Sequence, residues 1–193
     1  MSNSETEKNR EGGGIQTYSG HVISPLWPNK DTIKVVDIAH GLGFMCRFAG
    51  QSSEFYSVAQ HCVIMARWFR KRNKLVSARY ALVHEAAEGL GMMDMPHPIK
   101  YLKEMRPYKV LESSYQTSLY RRFGLMDEPP KEVKELDTRI CAAEAKVLMN
   151  PIPSYATDVE TGDLVIKPYK DIMRAKREFL KEFAILFPNE EMH

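Results

Sequence analysis

The apolar positions of this chain recur mostly at helical spacing. In DTIKVVDIAHGLGFMCRF they fall three and four apart from Ile33 to Phe44, which predicts a helix loosened by Gly41 and Gly43. YSVAQHCVIMARWF predicts a second helix. It is opened by Ser57 with Gln60 three residues on, the capping-box pattern in which each side chain satisfies the other's free backbone amide. RKRNKL reads as a solvated turn, and VSARYALVHEAAEGL as one helix, rich in alanine and leucine, that crosses the core. Pro96 and Pro98 lack amide donors and break MMDMPHPIKYL into a loop. RPYKVLESSYQTSLYRRFG is amphipathic and stops at Gly124. Pro129 and Pro130 open a helix that runs towards Met149, and PYKDIMRAKREFLKEFAILF is a final helix. Strand signals are few: a hairpin in IQTYSGHVISPLW around Ser19-Gly20, and a second between Pro151 and Lys167 with its turn at Thr161-Gly162. The expectation is an all-α helical bundle with small peripheral β-hairpins. Residues 1–14 form a flexible tail and residues 15–193 a single domain.

Composition narrows the functional classes. A chain of 193 residues with 44% hydrophobic content has enough apolar material for one sizeable core. The net charge of +2, with no extended basic block, implies no stable nucleic-acid partner. RWFRKRNK and YRRFG are only local basic patches. Cys46, Cys62 and Cys141 are scattered, without a CxxC pair, which fits a reducing cytosol. The polar start MSNSETEKNREGGG lacks a hydrophobic signal region, and no apolar run reaches the ~20 residues of a membrane span. A cytoplasmic protein without a membrane partner is expected.

The chemistry gathers in ALVHEAAEGLG. On a continuous helix His84 and Glu88 project to one face with Glu85 beside them, and charges in so apolar a stretch need a cation or hydrogen bonds. His61 lies in the earlier helix and Asp137 in the later one. Each has a bland reading when taken alone: His61 satisfied by backbone or water, Glu85 and Glu88 as the wet face of a helix, Asp137 exposed. Together, two imidazoles and carboxylates without thiolates favour a borderline or harder divalent ion such as Zn, Co, Mn or Fe. Such an ion can polarise a phosphoryl oxygen and acidify water, as phosphoester hydrolysis requires. Glu88 would orient or deprotonate that water, and Asp94, on a loop, would assist proton transfer. Arg47, Lys100 and Lys109 would neutralise phosphate oxygens, though each by itself is an ordinary surface charge.

The order His61, His84-Glu85, Asp137 resembles the HD-domain metal phosphohydrolases, whose pattern is a histidine, a His-Asp pair on a later helix and a further aspartate. Within DIAHGLGFMCRFAGQSSEFYSVAQHCVIMA, ALVHEAAEGLGMMDMPHPIKYL and ELDTRICAAEAKVLM the chain is similar to phage dATP triphosphohydrolases. It is more distantly similar to bacterial 5′-deoxynucleotidases, and the likeness covers most of residues 15–149. The resemblance implies an all-helical homo-oligomeric enzyme, active in the host cytoplasm if phage-encoded. It would use a divalent ion (Co, Zn, Mn or Mg) held by His61, His84, Glu85 and Asp137. Glu88 would be the water-activating residue, Arg47 a phosphate contact, and Asp94 and Lys100 members of a conserved loop pattern. The implied reaction cleaves the 5′ phosphoester of a deoxynucleotide, dATP giving deoxynucleoside and triphosphate. The alternatives are a 5′-deoxynucleotidase acting on monophosphates and an inactive nucleotide-binding domain. Two departures bear on this. Glu85 replaces the aspartate of the pair, one methylene further from the backbone, and the interval from Glu88 to Asp94 is one residue longer, with Met93 in place of a glycine.

Overall fold

The computed structural model describes residues 13–190. It begins with an antiparallel hairpin, β1 (Ile15–Gln16) and β2 (Val22–Ile23), with Ile15 opposite Ile23 and Gln16 opposite Val22. The expected hairpin is there, and the expected flexible tail falls almost wholly on residues outside the described range. Ser19 in the turn is tied down by Asp37, whose carboxylate accepts from the Ser19 amide at 2.7 Å and from its hydroxyl at 2.8 Å. The hairpin is thereby fastened over helix α1 (Val35–Phe44).

Helix α1 buries Val35, Ile38, Ala39 and Leu42, the three-and-four spacing visible in the sequence. Helix α2 (Val58–Arg70) begins at Ser57, whose hydroxyl accepts from the Gln60 amide at 3.2 Å. Only that half of the predicted capping box forms. The buried Gln60 side chain turns away, donating to the Lys167 carbonyl at 2.6 Å and accepting from the Tyr169 amide at 3.0 Å. An irregular segment with no strand partner takes its hydrogen bonds from this side chain instead.

The predicted helix through VSARYALVHEAAEGL is two helices, α3 (Leu75–Val83) and α4 (Ala86–Gly89), broken at His84 and Glu85. Glu85 leaves helical geometry with φ −108° and ψ 19°. Just past the break the chain crosses α1 backbone to backbone: a Cβ on Gly41 would lie 2.0 Å from the Gly89 carbonyl oxygen, and one on Gly89 would lie 2.8 Å from the Ile38 carbonyl oxygen. Two glycines let α1 and α4 approach more closely than any side chain permits.

The expected loop ends at Pro96: His97–Lys100 form the short helix α5, with Pro98 in its first turn, where no amide donor is needed, and α6 (Arg106–Arg122) and α7 (Lys131–Leu148) follow. Helix α6 is stopped at Gly124, which takes the left-handed φ of +67°. After α8 (Ser154–Thr157), the last helix is α9 (Ile172–Leu186), capped by Asp171 accepting from the Met173 amide at 2.9 Å. The second hairpin expected between Pro151 and Lys167 does not form. Among the described residues that stretch holds α8 and the turn at Thr161-Gly162 without strands, and its carbonyls are taken by Lys146, Arg139 and Gln60 side chains.

Helix α2 lies at the centre, packed on α1, α3, α7 and α9, and most of its circumference is buried. The fold is all-α with one small hairpin. Among the described residues no helix is long and apolar enough to cross a membrane.

Candidate metal centre

Three helices deliver the centre. His61, in the first turn of α2, is fully buried. His84 sits at the C-terminal end of α3, Glu85 in the break, and Asp137 on α7. His61 Nε2 lies 3.3 Å from His84 Nε2 and 3.4 Å from Asp137 Oδ1. His84 Nε2 lies 3.3 Å from Glu85 Oε1 and 4.0 Å from Asp137 Oδ1. One ligand atom each from His61, His84 and Glu85 falls within a 4.8 Å group, with Asp137 closing on both imidazoles. The four residues expected to share an ion are therefore brought together.

Hydrogen bonds on the far side of each ring decide which atoms face inward. His84 Nδ1 is 2.9 Å from the Ala81 carbonyl, which can only accept, so this nitrogen carries the proton. His61 Nδ1 is 2.8 Å from Glu144 Oε1 and donates to that carboxylate. Both Nε2 lone pairs then point into a space bordered by two carboxylate oxygens. Four acceptors facing one another are a donor set that a divalent cation satisfies, and imidazole nitrogen with carboxylate oxygen suits Zn, Co or Mn. Without a cation a proton takes its place. Burial and the Arg47 charge oppose protonation of His61, but Glu144 and the hydrogen bonds to Asp137 and Glu144 outweigh them, and its pKa rises to about 9. His84 moves the other way, lowered chiefly by burial. The Cys62 sulfur lies 3.9 Å from His84 Nδ1, on the wrong side of the ring, and burial pushes its thiol up, so thiolate stays out of the site.

Glu88 lies outside the tight group of ligand atoms, because the non-helical turn at Glu85 takes it off the face it would share with His84 on one continuous helix. It is buried, and its Oε2 has no hydrogen-bond partner among the described residues. Burial first, then the charges of Glu85 and Asp94, push its pKa up to about 10. A buried carboxyl with an unpartnered oxygen beside two further acidic side chains, Glu85 and Asp94, is a second sign that positive charge belongs here. Asp94, on the loop before α5, shares this electrostatic neighbourhood. Burial and Glu85 raise its pKa while Arg47 and His61 counter them.

The expected phosphate ligands fare less uniformly. Arg47 is 9% exposed, with its Nε 3.0 Å from Glu144 Oε2. Lys100 pairs with Glu112 at 2.7 Å, still close enough for Glu85 and Glu88 to raise its pKa after its own burial and the Glu112 contact. Lys109 lies with its ammonium 3.8 Å from the Tyr101 ring centre, a contact that does not involve the metal-centre residues. The basic run RWFRKRNK is occupied: Arg67 and Arg70 pair with Glu182, Arg72 with Asp163 and Lys74 with Glu132. In YRRFG, Arg121 pairs with Asp127 and Arg122 with Glu190. Neither run presents the open row of cations that binds a phosphate backbone.

Glu144 is the site residue that sequence reasoning missed. It is fully buried on α7, two turns beyond Asp137 and so on the same face of that helix. The available signal was a lone carboxylate inside the apolar run ICAAEAKVLM.

No family model matches the chain. Over 134 residues it is 36% identical to the uncharacterized protein YfdR of Escherichia coli (strain K12), which covers 69% of this chain and 71% of that protein. Over 161 residues it is 29% identical to the uncharacterized protein RCAP_rcc00048 of Rhodobacter capsulatus, 81% of each. With more than a third of the residues identical across more than two thirds of both proteins, this chain belongs to the family of YfdR.

Proposed function

We propose that this protein is a metal-dependent phosphohydrolase of the HD type that cleaves the 5′ phosphoester of a deoxynucleotide, with dATP giving deoxynucleoside and triphosphate. The observation that carries the hydrolase reading is the convergence of two imidazole Nε2 atoms and two carboxylate oxygens from three helices, with a buried, unpartnered Glu88 beside them. His61, His84, Glu85 and Asp137 would hold the ion. When bound, it supplies positive charge to a phosphoryl oxygen and acidity to water. The nucleotide and the base enter through the resemblance to phage dATP triphosphohydrolases.

The chain's own groups divide the remaining work. Glu88 holds a proton at neutral pH, and positive charge beside it frees the carboxylate to orient and deprotonate water. Asp94, on a loop at the same edge, is the partner for the proton that the departing 5′ oxygen needs. The Glu85 replacement does not open the site: its longer side chain is offset by the break between α3 and α4, and Oε1 still comes within 3.3 Å of His84 Nε2. That weighs against an inactive nucleotide-binding domain. A 5′-deoxynucleotidase acting on monophosphates is the second reading, favoured by the engagement of Lys100 with Glu112 and of Lys109 with Tyr101, which leaves less positive charge for outer phosphates. A homo-oligomer, read by light scattering, belongs to the same proposal.

The deciding experiment incubates the purified chain with each dNTP and dNMP in the presence of Co, Mn, Mg or Zn and identifies the products. Deoxyadenosine with triphosphate is the expected pair. Deoxynucleoside with orthophosphate, from monophosphates alone, would transfer the assignment to the second reading. Absence of turnover with every metal would reject both.

A further inference from the structure

The structure holds a buried charge relay behind the candidate metal centre. Glu144 has no exposed surface, yet two charged or chargeable neighbours face its two oxygens: His61 Nδ1 at 2.8 Å from Oε1, and Arg47 Nε at 3.0 Å from Oε2. The Arg47 contact is an ion pair whose N–H does not point along a hydrogen-bond line. The Tyr56 hydroxyl is a third group close to this carboxylate. Arg47 is held in place by its own backbone, its amide donating to the Tyr56 carbonyl at 2.8 Å, next to the bridge that pairs Cys46 with Ser57. The strand-like segment that delivers Arg47 thus runs beside the residue that caps α2, the helix carrying His61.

We propose that Glu144 is a positioning residue: it accepts from His61 Nδ1, fixes the tautomer that turns Nε2 towards the metal, and is itself held in place by Arg47 against its second oxygen. This rests on the reading of His61 as a metal ligand. Two observations and one general rule support it. Glu144 meets the ring on the side opposite the converging ligand atoms, so it backs the ligand rather than competing for the ion. Burying a carboxylate with no exposure is costly, and Arg47 is the cation that offsets the cost. A carboxylate behind a ligating imidazole raises its basicity and locks its orientation. Arg47, assigned by resemblance to a phosphate, has its Nε committed to the carboxylate behind His61.

The test is calorimetric titration of Zn²⁺ or Co²⁺ into the full chain as wild type, as E144Q and as the double variant R47M/E144M. The double variant replaces the buried pair by apolar side chains and so keeps the fold assessable. Metal affinity is expected to fall about 10- to 100-fold in both variants, the range for loss of a residue behind a metal-bound imidazole, with unchanged helical circular dichroism. In parallel, NMR of histidine-labelled protein should show a slowly exchanging His61 Hδ1 proton in wild type, with or without metal, and its loss in R47M/E144M. Unaltered metal affinity in both variants, or an unaltered Hδ1 proton in the double variant, overturns the proposal. If wild type binds neither ion but the Hδ1 proton is present and depends on Glu144, the hydrolase reading fails while the positioning of His61 stands.

Discussion

Substituting Gly41 by alanine tests how α4 is held, and hence how Glu85 and Glu88 are placed. A Cβ at this position would lie 2.0 Å from the Gly89 carbonyl oxygen, 2.8 Å from its carbon and 2.9 Å from its Cα. All three obstacles are backbone, so no rotamer change relieves them, and the helices must part by about 1.4 Å to reach the ~3.4 Å of ordinary contact. Overpacking of this kind costs about 3 kcal/mol, at the upper end of its usual range. Alanine regains about 1 kcal/mol through its helix propensity. The net loss of about 2 kcal/mol corresponds to a fall in Tm of about 4–8 °C for a chain of this size. Gly43→Ala is the internal control, because its Cβ would come no nearer than 3.3 Å to Lys176 Cβ, with the Lys176 amide nitrogen and Cα at 3.5 and 3.6 Å, and it should be close to neutral. Thermal denaturation followed by circular dichroism gives both numbers. Metal titration of G41A should show weakened binding, since the displaced α4 begins beside Glu85. A G41A protein as stable as wild type would refute the close crossing of α1 and α4.

Glu88→Gln should leave folding within about 0.5 kcal/mol of wild type, since the buried carboxyl is already neutral without metal, and should reduce turnover ~100-fold or more. Full activity in that variant would remove Glu88 from the chemistry. For the metal-free protein, His61 (about 9 against an ordinary 6.5) and Glu88 (about 10 against 4.5) both bind protons more tightly folded than unfolded. The His61 contribution therefore fades between pH 6.5 and about 9 and that of Glu88 between 4.5 and about 10, so both shrink from pH 6.5 to pH 9. Chelator-treated protein should melt at a lower temperature at pH 9 than at pH 6.5, with a smaller difference in E88Q; a flat or rising profile would contradict both shifts. The paired arginines of α2 offer a fourth check: Arg67 and Arg70 face Glu182, which is fully buried on α9. Replacing both arginines by methionine strands a buried carboxylate and should cost about 3–5 kcal/mol. E182M should cost less, because each arginine is about a third exposed and can turn to water. Urea unfolding of the two variants compares them, and equal losses would show that burial of Glu182 is not the deciding factor.

The chain's hydrophobic spacing was enough to place α1, α2, α6, α7 and α9, the hairpin around Gly20, and the stop at Gly124, because each depends on contacts within a few residues. The candidate cluster was legible too: His61, His84, Glu85 and Asp137 stand out as polar groups in apolar or helical runs, and the structure brings their side chains together. What the sequence could not show is anything that depends on two distant segments meeting. Gly41 is a weakness in a helix by local propensity, but its place is set by Gly89 packed against it, and the stretch through His84, continuous by its spacing, is two helices. Gln60 read as half of a local cap until the irregular segment at Lys167 to Tyr169 claimed its side chain. Glu144 and Arg47, nearly a hundred residues apart, acquired their meaning only as a pair behind His61. Local periodicity determines which residues face inward. Tertiary packing decides which of those inward-facing polar groups find one another, because a buried charge is tolerated only where the fold supplies its partner.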